Sequence, residues 1–148
     1  MNVFSVECLT FERIGEVVKL DELCFSQPWS AESFGILCDG KNVGFVALDT
    51  TGSVVGFGGM FVVLDEGQIT TIAVHPDFRR KGIGEKIMSS LLEYAKENEL
   101  VSISLEVREG NEAAKALYKK FGFEAAGIRK NFYSFPIENA IVMIKNIG

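Results

Sequence analysis

At 148 residues and net charge −5, with 47% hydrophobic and 24% charged residues, the chain can pack one domain, which excludes a disordered chain and a general nucleic-acid binder. Cys8, Cys24 and Cys38 are odd in number and lack metal-ligand spacing, so a reducing compartment with no structural disulfide and no metal site is expected. Without a charged-then-apolar leader or an apolar run of membrane-spanning length, the expected location is the cytoplasm, away from membranes.

Residues 3–7 read as a first strand, and Thr10 is placed to cap a helix over residues 11–25 with Ile14, Val17, Val18 and Cys24 on its apolar side. Ser26-Gln27-Pro28-Trp29-Ser30 breaks that helix, and Ser30 caps a short second one ending near Cys38. Trp29, between the two, reads as a packing anchor because an indole buries so much area. Residues 42–49 and 53–64 read as strands joined by the loop Thr50-Thr51-Gly52. A turn at Asp65-Glu66-Gly67 leads to a third antiparallel strand over residues 68–74. Gly56, Gly58 and Gly59 inside the middle strand imply a bulge or close approach by another backbone.

A long helix follows Gly82 and Gly84, with Ile83, Ile87, Leu91 and Ala95 at helical spacing and Met88 and Leu92 beside them. Residues 100–107 alternate strictly, Val101, Ile103, Leu105 and Val107 on one face against Ser102, Ser104 and Glu106 on the other. Asn111 caps a helix carrying Ala114, Leu117 and Phe121 that ends at Gly122. Strands at residues 123–127 and 140–145, with a polar and aromatic loop between them, finish the chain. The order β-αα-βββ-α-β-α-ββ describes a single α/β (α+β) domain over residues 1–148, a mixed sheet of six to seven strands with helices on both faces.

The segment from Ile69 to Gly84 carries the first chemical signal. A strand turns through the basic loop Arg79-Arg80-Lys81 into a helix opened by Gly82 and Gly84. The first amides of a helix have no intrahelical partner, its dipole adds positive charge, and glycines let a phosphate approach the backbone. This is a pyrophosphate cradle. It is not a P-loop, lacking Gly-Lys-Ser/Thr, nor the dinucleotide fingerprint, lacking the third glycine.

Arg79-x-x-Gly82-x-Gly84 after Ile72-Ala73-Val74 resembles the acetyl-CoA motif of the GNAT N-acetyltransferases. The resemblance implies the GNAT fold and acetyl-CoA as cofactor, released as CoA. It also implies that loop amides hold the pyrophosphate while the preceding strand pairs with the pantetheine arm. Ile72, Ala73, Val74, Arg79, Arg80, Lys81, Gly82, Ile83, Gly84 and Glu85 are then the expected cofactor contacts.

Glu106 lies on the less apolar side of a strand that should neighbour residues 69–74, where it can face a cleft. Acetylating an amine requires loss of the amine's proton, stabilisation of the growing charge on the carbonyl, and help for the departing sulfur. A carboxylate suits the first task, an α-amine having a pKa near 7.7–8.0. A Tyr hydroxyl suits the last, backbone amides the charge between. Leu105-Glu106-Val107-Arg108 through Asn111, Ala113-Ala114 and Leu117-Tyr118 to Gly122-Phe123 is similar to the signature of the ribosomal-protein-alanine acetyltransferases, the RimI-like branch. That likeness implies Glu106 as general base, Tyr118 as general acid and Asn111 as a cofactor contact.

The segments Phe25–Ser30 and Arg129–Met143 resemble the flanks that form the peptide cleft in that branch, implying Trp29, Phe132, Tyr133 and Glu138 on the acceptor side. Phe132 stands where a second Tyr is common, Asn139 where Asp is usual, and Gly110 where Ser often precedes the Asn; the first two bear on peptide identity. His75, the single histidine, reads as a loop residue. With no activated nucleophile evident, the amine should attack directly in a ternary complex. The expected partner is a protein N-terminus, the alanine of a small-subunit ribosomal protein, with no nucleic acid or membrane. A small-molecule amine acceptor and a non-catalytic CoA-binding module are the alternatives.

Overall fold

The computed structural model describes residues 4–25 and 29–147. The expected strand start at Val3 and the helix-breaking Ser26, Gln27 and Pro28 lie outside the described residues. Four antiparallel strands come first in the sheet: β1 (Ser5–Cys8), β2 (Val43–Leu48), β3 (Val54–Val63) and β4 (Glu66–Val74). Helix α1 (Ile14–Cys24) and the short α2 (Ala31–Gly35) lie between β1 and β2, and α3 (Ile83–Glu97) carries the chain from β4 to the parallel β5 (Ser102–Arg108). Helix α4 (Glu112–Lys120) and the hairpin of β6 (Glu124–Ser134) and β7 (Ile137–Asn146) complete the domain. Among the described residues these make one seven-stranded mixed sheet, ordered β1-β2-β3-β4-β5-β7-β6. The described helices include none long and apolar enough to cross a membrane.

Two apolar layers sandwich the sheet. Ile83, Ile87, Met88, Leu91 and Ala95 of α3 pack with Met60, Ile69, Ile103, Leu105 and Tyr118, so α3 and α4 share a face. Ile14, Val17 and Leu20 of α1 meet Phe34, Leu37, Val46 and Phe57 on the other. The glycines of β3 serve this packing. A Cβ at Gly58 would lie 2.5 Å from Ile87 Cγ2, and one at Gly59 2.6 Å from Leu37 Cδ1. Helix side chains make these closest approaches, the backbone Ala73 O would lie 3.2 Å from a Cβ at Gly56, and the expected irregularity falls between Gly59 and Met60.

Several local expectations are corrected. Thr10 makes no side-chain cap; residues 11–13 form a 3-10 turn before α1, and the Thr10 hydroxyl faces Glu12 Oε2 at 3.5 Å. The Ser30 cap holds, its Oγ accepting from Ser33 N at 3.2 Å. The turn expected at residues 65–67 sits one step earlier, with Leu64 left-handed (φ 55°) and Glu66 and Gly67 already in β4. Gly67 is there for packing, since a Cβ would meet Met60 Sδ at 2.6 Å. The polar and aromatic loop expected after residue 127 is strand, β6 and β7 running on to Ser134 and Ile137.

Candidate active site

The sheet opens in the middle. β4 pairs with β5 only at Glu66↔Ser102, Gly67↔Ile103 and Gln68↔Ser104. Immediately beyond, β4 carries an extra residue against β3: Gly59 pairs with Thr71 and Met60 with Ile69, leaving Thr70 as a bulge whose hydroxyl donates to Gly59 O at 3.2 Å. A bulge bends its strand and increases the local twist. Residues 69–74 thus turn their β5-side backbone into a gap rather than a ladder, leaving amides and carbonyls in need of partners. Val74 O is already met, by Arg79 Nε at 3.1 Å and Cys24 Sγ at 3.6 Å.

Two clefts meet at this gap. One, of about 680 Å³, is lined by Ile72, Ala73, Val74, Arg79, Arg80, Gly82, Ile83, Gly84 and Glu85, together with Asn111, Leu117 and Tyr118. Gly82 is the N-cap of α3 at φ 81°, and Arg80 is also left-handed at φ 64°, a conformation that only glycine adopts without cost. Left-handed residues leading into a helix whose first amides lack intrahelical partners are the backbone elements from which anion cradles are built. Glu85 in that first turn is paired with Lys120 Nζ at 2.6 Å. Of the expected cofactor residues, Lys81 falls outside the lining and turns its Nζ over the Phe78 ring at 5.2 Å.

The other cleft, of about 650 Å³, is lined by Asp21, Trp29, Phe61, Gln68, Thr70, Thr71, Glu106, Arg108, Phe132, Tyr133, Phe135 and Pro136. Ile72, Asn111, Ala114, Tyr118, Cys24 and Phe25 line both clefts, so a molecule in one can touch a molecule in the other. Asn111 caps α4, its Oδ1 accepting from Ala114 N at 3.1 Å, which leaves its amide nitrogen for a ligand. Tyr118 is 7% exposed, and burial with Tyr133 nearby pushes its hydroxyl up to about 12.

Glu106 stands on the face of β5 opposite the α3–α4 core, its neighbours Leu105 and Val107 being buried in that core. Its Oε1 accepts from Gln68 Nε2 at 3.0 Å, and Arg129 Nε lies 3.4 Å from Oε2. His75 is a loop residue as expected, its Nδ1 accepting from Asp77 N at 3.1 Å.

The acceptor-side residues divide. Trp29 packs against Phe34 and stacks on Phe61, with ring centres 5.4 and 5.7 Å away, and it lines the cleft. Between Arg129↔Ala140 and Tyr133↔Glu138 the β6 strand holds residues 130–132 against Asn139 alone. Asn131 in this bulge is left-handed (φ 52°), and its N–H donates to Asn139 Oδ1 at 3.0 Å. The bulge carries Phe132 and Tyr133 to the cleft wall, and Asn139 sustains it with an oxygen that Asp would also offer. Glu138 does not line either cleft. Its Oε2 accepts from Gly110 N at 2.6 Å and its Oε1 pairs with Arg108 at 3.2 Å, contacts that hold its carboxyl below the usual range. It fastens the hairpin to the β5–α4 loop. Arg108 adds bonds to Pro136 O and Phe135 O and sits 4.3 Å over the Tyr133 ring.

Sequence reasoning missed Asp21, Gln68 and Arg129. Asp21 is a buried carboxylate accepting from Trp29 N at 2.6 Å, and burial raises its pKa despite that bond. Its place in α1, one residue after the core Leu20, was the available signal. Asp21→Ala leaves the Trp29 amide unmet, a cost of about 1–3 kcal/mol, so Tm falls by roughly 2–12 °C in a thermal melt. Asp21→Asn keeps an acceptor and removes the buried charge, so it melts near the wild type. Because folding raises this pKa, the wild type loses stability relative to the Asn variant as pH climbs through the carboxylate range.

The family model for the acetyltransferase (GNAT) family matches residues 14–123. A Bacillus subtilis protein named provisionally as a ribosomal protein bS18-alanine N-acetyltransferase is 36% identical over 140 residues, covering 94% of this chain and 93% of its own. The ribosomal protein bS18-alanine N-acetyltransferase of Haemophilus influenzae is 35% identical, with 97% of each chain covered. The crystal structure of the ribosomal-protein-S18-alanine N-acetyltransferase from Escherichia coli superposes with a TM-score of 0.91 at 30% identity, covering 99% of this chain and 95% of that one. An open strand, a glycine-capped helix and a matching family model together make this chain a member of the GNAT acetyltransferase family.

Proposed function

We propose that the protein transfers acetyl from acetyl-CoA to the N-terminal α-amine of a ribosomal protein, the alanine of bS18, in the cytoplasm. The observation that carries this reading is the meeting of two clefts at the β4–β5 gap. One offers helix-start amides, left-handed loop residues and Arg79 and Arg80, which suit a pyrophosphate, and an open strand edge, which suits an amide-bearing arm. The other offers a carboxylate among aromatic rings, which suits an amine at the end of a peptide. The names of the relatives support the choice of acceptor.

The acceptor ammonium first gives one proton to solvent. The neutral nitrogen then bonds to the thioester carbonyl carbon while Glu106, directly or through a water, takes the second proton that this nitrogen sheds; the carbon–sulfur bond breaks and the sulfur leaves with its electron pair. In this reading the backbone amides of β4 beside the Thr70 bulge stabilise the carbonyl oxygen as its charge grows. Tyr118 donates a hydrogen bond to the departing sulfur.

Incubation with acetyl-CoA and an Ala-starting bS18 peptide, beside a panel of polyamines, aminoglycosides and amino acids, tests the acceptor. Mass spectrometry is expected to find one acetyl group on the peptide α-amine, with the peptide's kcat/KM exceeding any panel member's by at least about 100-fold, roughly 2.7 kcal/mol of transition-state preference. Faster acetylation of a small amine would move the acceptor class, and no acetylated product would leave a CoA-binding module.

A further inference from the structure

We propose that Gln68 and Arg129 are positioning residues that hold the Glu106 carboxylate in one orientation. This rests on the reading of Glu106 as the base. The last torsion of a Glu side chain is broad, so nothing intrinsic fixes where the two oxygens point. Here the surroundings fix it. Gln68 is the last residue at which β4 still pairs with β5, its partner being Ser104, and Glu106 is the next residue on the same face of β5. Gln68 therefore reaches across the start of the gap and donates to Oε1 at 3.0 Å.

Oε2 is buried and accepts no hydrogen bond among the described residues. A buried carboxylate oxygen left so is costly unless a charge compensates it. That charge is Arg129, with Nε at 3.4 Å. Arg129 comes from β6, two strands away, and crosses β7 at Ala140, which pairs with both Arg129 and Arg108 and presents only a methyl group. Its guanidinium also lies 5.6 Å over the Phe132 ring. The other charged and titratable groups around Glu106 are Tyr133 of β6, Arg108 on β5, Tyr118 of α4, and Asp21 and Cys24 of α1, all lining the same cleft. Among the described residues none of them hydrogen-bonds to its oxygens, so orientation falls to Gln68 and Arg129.

Gln68→Met is nearly isosteric and lacks the donor; it is expected to lower kcat on the order of 10- to 100-fold while KM for acetyl-CoA and the melting temperature hold. Gln68→Glu places a second carboxylate about 3 Å from the first, and two such groups share a proton, so the acid limb of the kcat profile moves to higher pH. Arg129→Gln leaves Oε2 without its charged neighbour and is expected to lower kcat while KM for acetyl-CoA holds, with partial rescue by Arg129→Lys. A merely structural role for Gln68 would lower the melting temperature of Gln68→Met or raise its KM, not lower kcat alone. Wild-type kcat and an unmoved limb in both Gln68 variants overturn the proposal. Glu106→Gln, assayed alongside, separates the two ideas: if it loses turnover while the Gln68 variants do not, only the positioning role fails. If Glu106→Gln itself retains turnover, both fail.

Discussion

Glu106→Gln is expected to lower kcat at pH 7 on the order of 10²- to 10⁴-fold, the usual range for loss of a positioned general base. Binding of acetyl-CoA, measured by calorimetry, should stay unchanged because Glu106 lines only the acceptor cleft. The magnitude bears on how the carboxylate acts. An α-amine with a pKa near 7.7–8.0 is already about one-tenth neutral at pH 7. Removing its proton before attack is therefore worth only about tenfold. The remainder must arise as the nitrogen bonds to the carbonyl carbon, when it becomes far more acidic and Glu106 receives the proton in the transition state. Raising the pH to about 9 should return roughly tenfold of the variant's deficit and no more. Full recovery at high pH would reduce Glu106 to deprotonating the free amine, and wild-type turnover at pH 7 would remove it as base.

Legibility in the sequence followed the range of the interactions. The α3 stripe of Ile83, Ile87, Leu91 and Ala95 and the alternation around Glu106 are local periodicities, and both stand in the structure except at Val101, which is exposed and precedes β5. The loop glycines were legible for the same reason, since left-handed Gly82 is a property of one residue. The β6–β7 hairpin was legible only at its far end, residues 123–127 and 140–145: its alternation is interrupted where residues 130–132 bulge against Asn139, and the charged and aromatic residues there look like a loop. Contacts between distant segments were hidden altogether. Gln68 and Glu106 are 38 positions apart, and only the parallel pairing that stops at Gln68 brings them together. Glu138 misled in the opposite direction, its motif suggesting the acceptor while its carboxylate is spent on Gly110 and Arg108.

Tyr118→Phe is the second large effect, and burial sets its size. With its hydroxyl pushed up to about 12, Tyr118 is a much weaker acid than the thiol it serves, whose ordinary pKa is about 8.5. Handing a proton to the sulfur would run uphill by roughly 5 kcal/mol. A hydrogen bond to the departing thiolate is the cheaper course, and burial favours it by keeping the hydroxyl protonated and the surroundings dry. Such a bond to a charged partner contributes about 1.5–3 kcal/mol, so the variant should lose roughly 10- to 150-fold in the chemical step. The phenyl ring still packs against Phe123, at 6.0 Å between centres, so the fold should persist. In the wild type no fall in kcat from Tyr118 ionisation is expected up to about pH 10, since burial raises rather than lowers the pKa. Single-turnover kinetics across pH 6 to 10 check both statements. An unchanged rate in the variant excludes Tyr118 from the chemistry, whereas a wild-type rate that falls between pH 8 and 9 through Tyr118 would mean that it works as a proton donor with a far lower pKa.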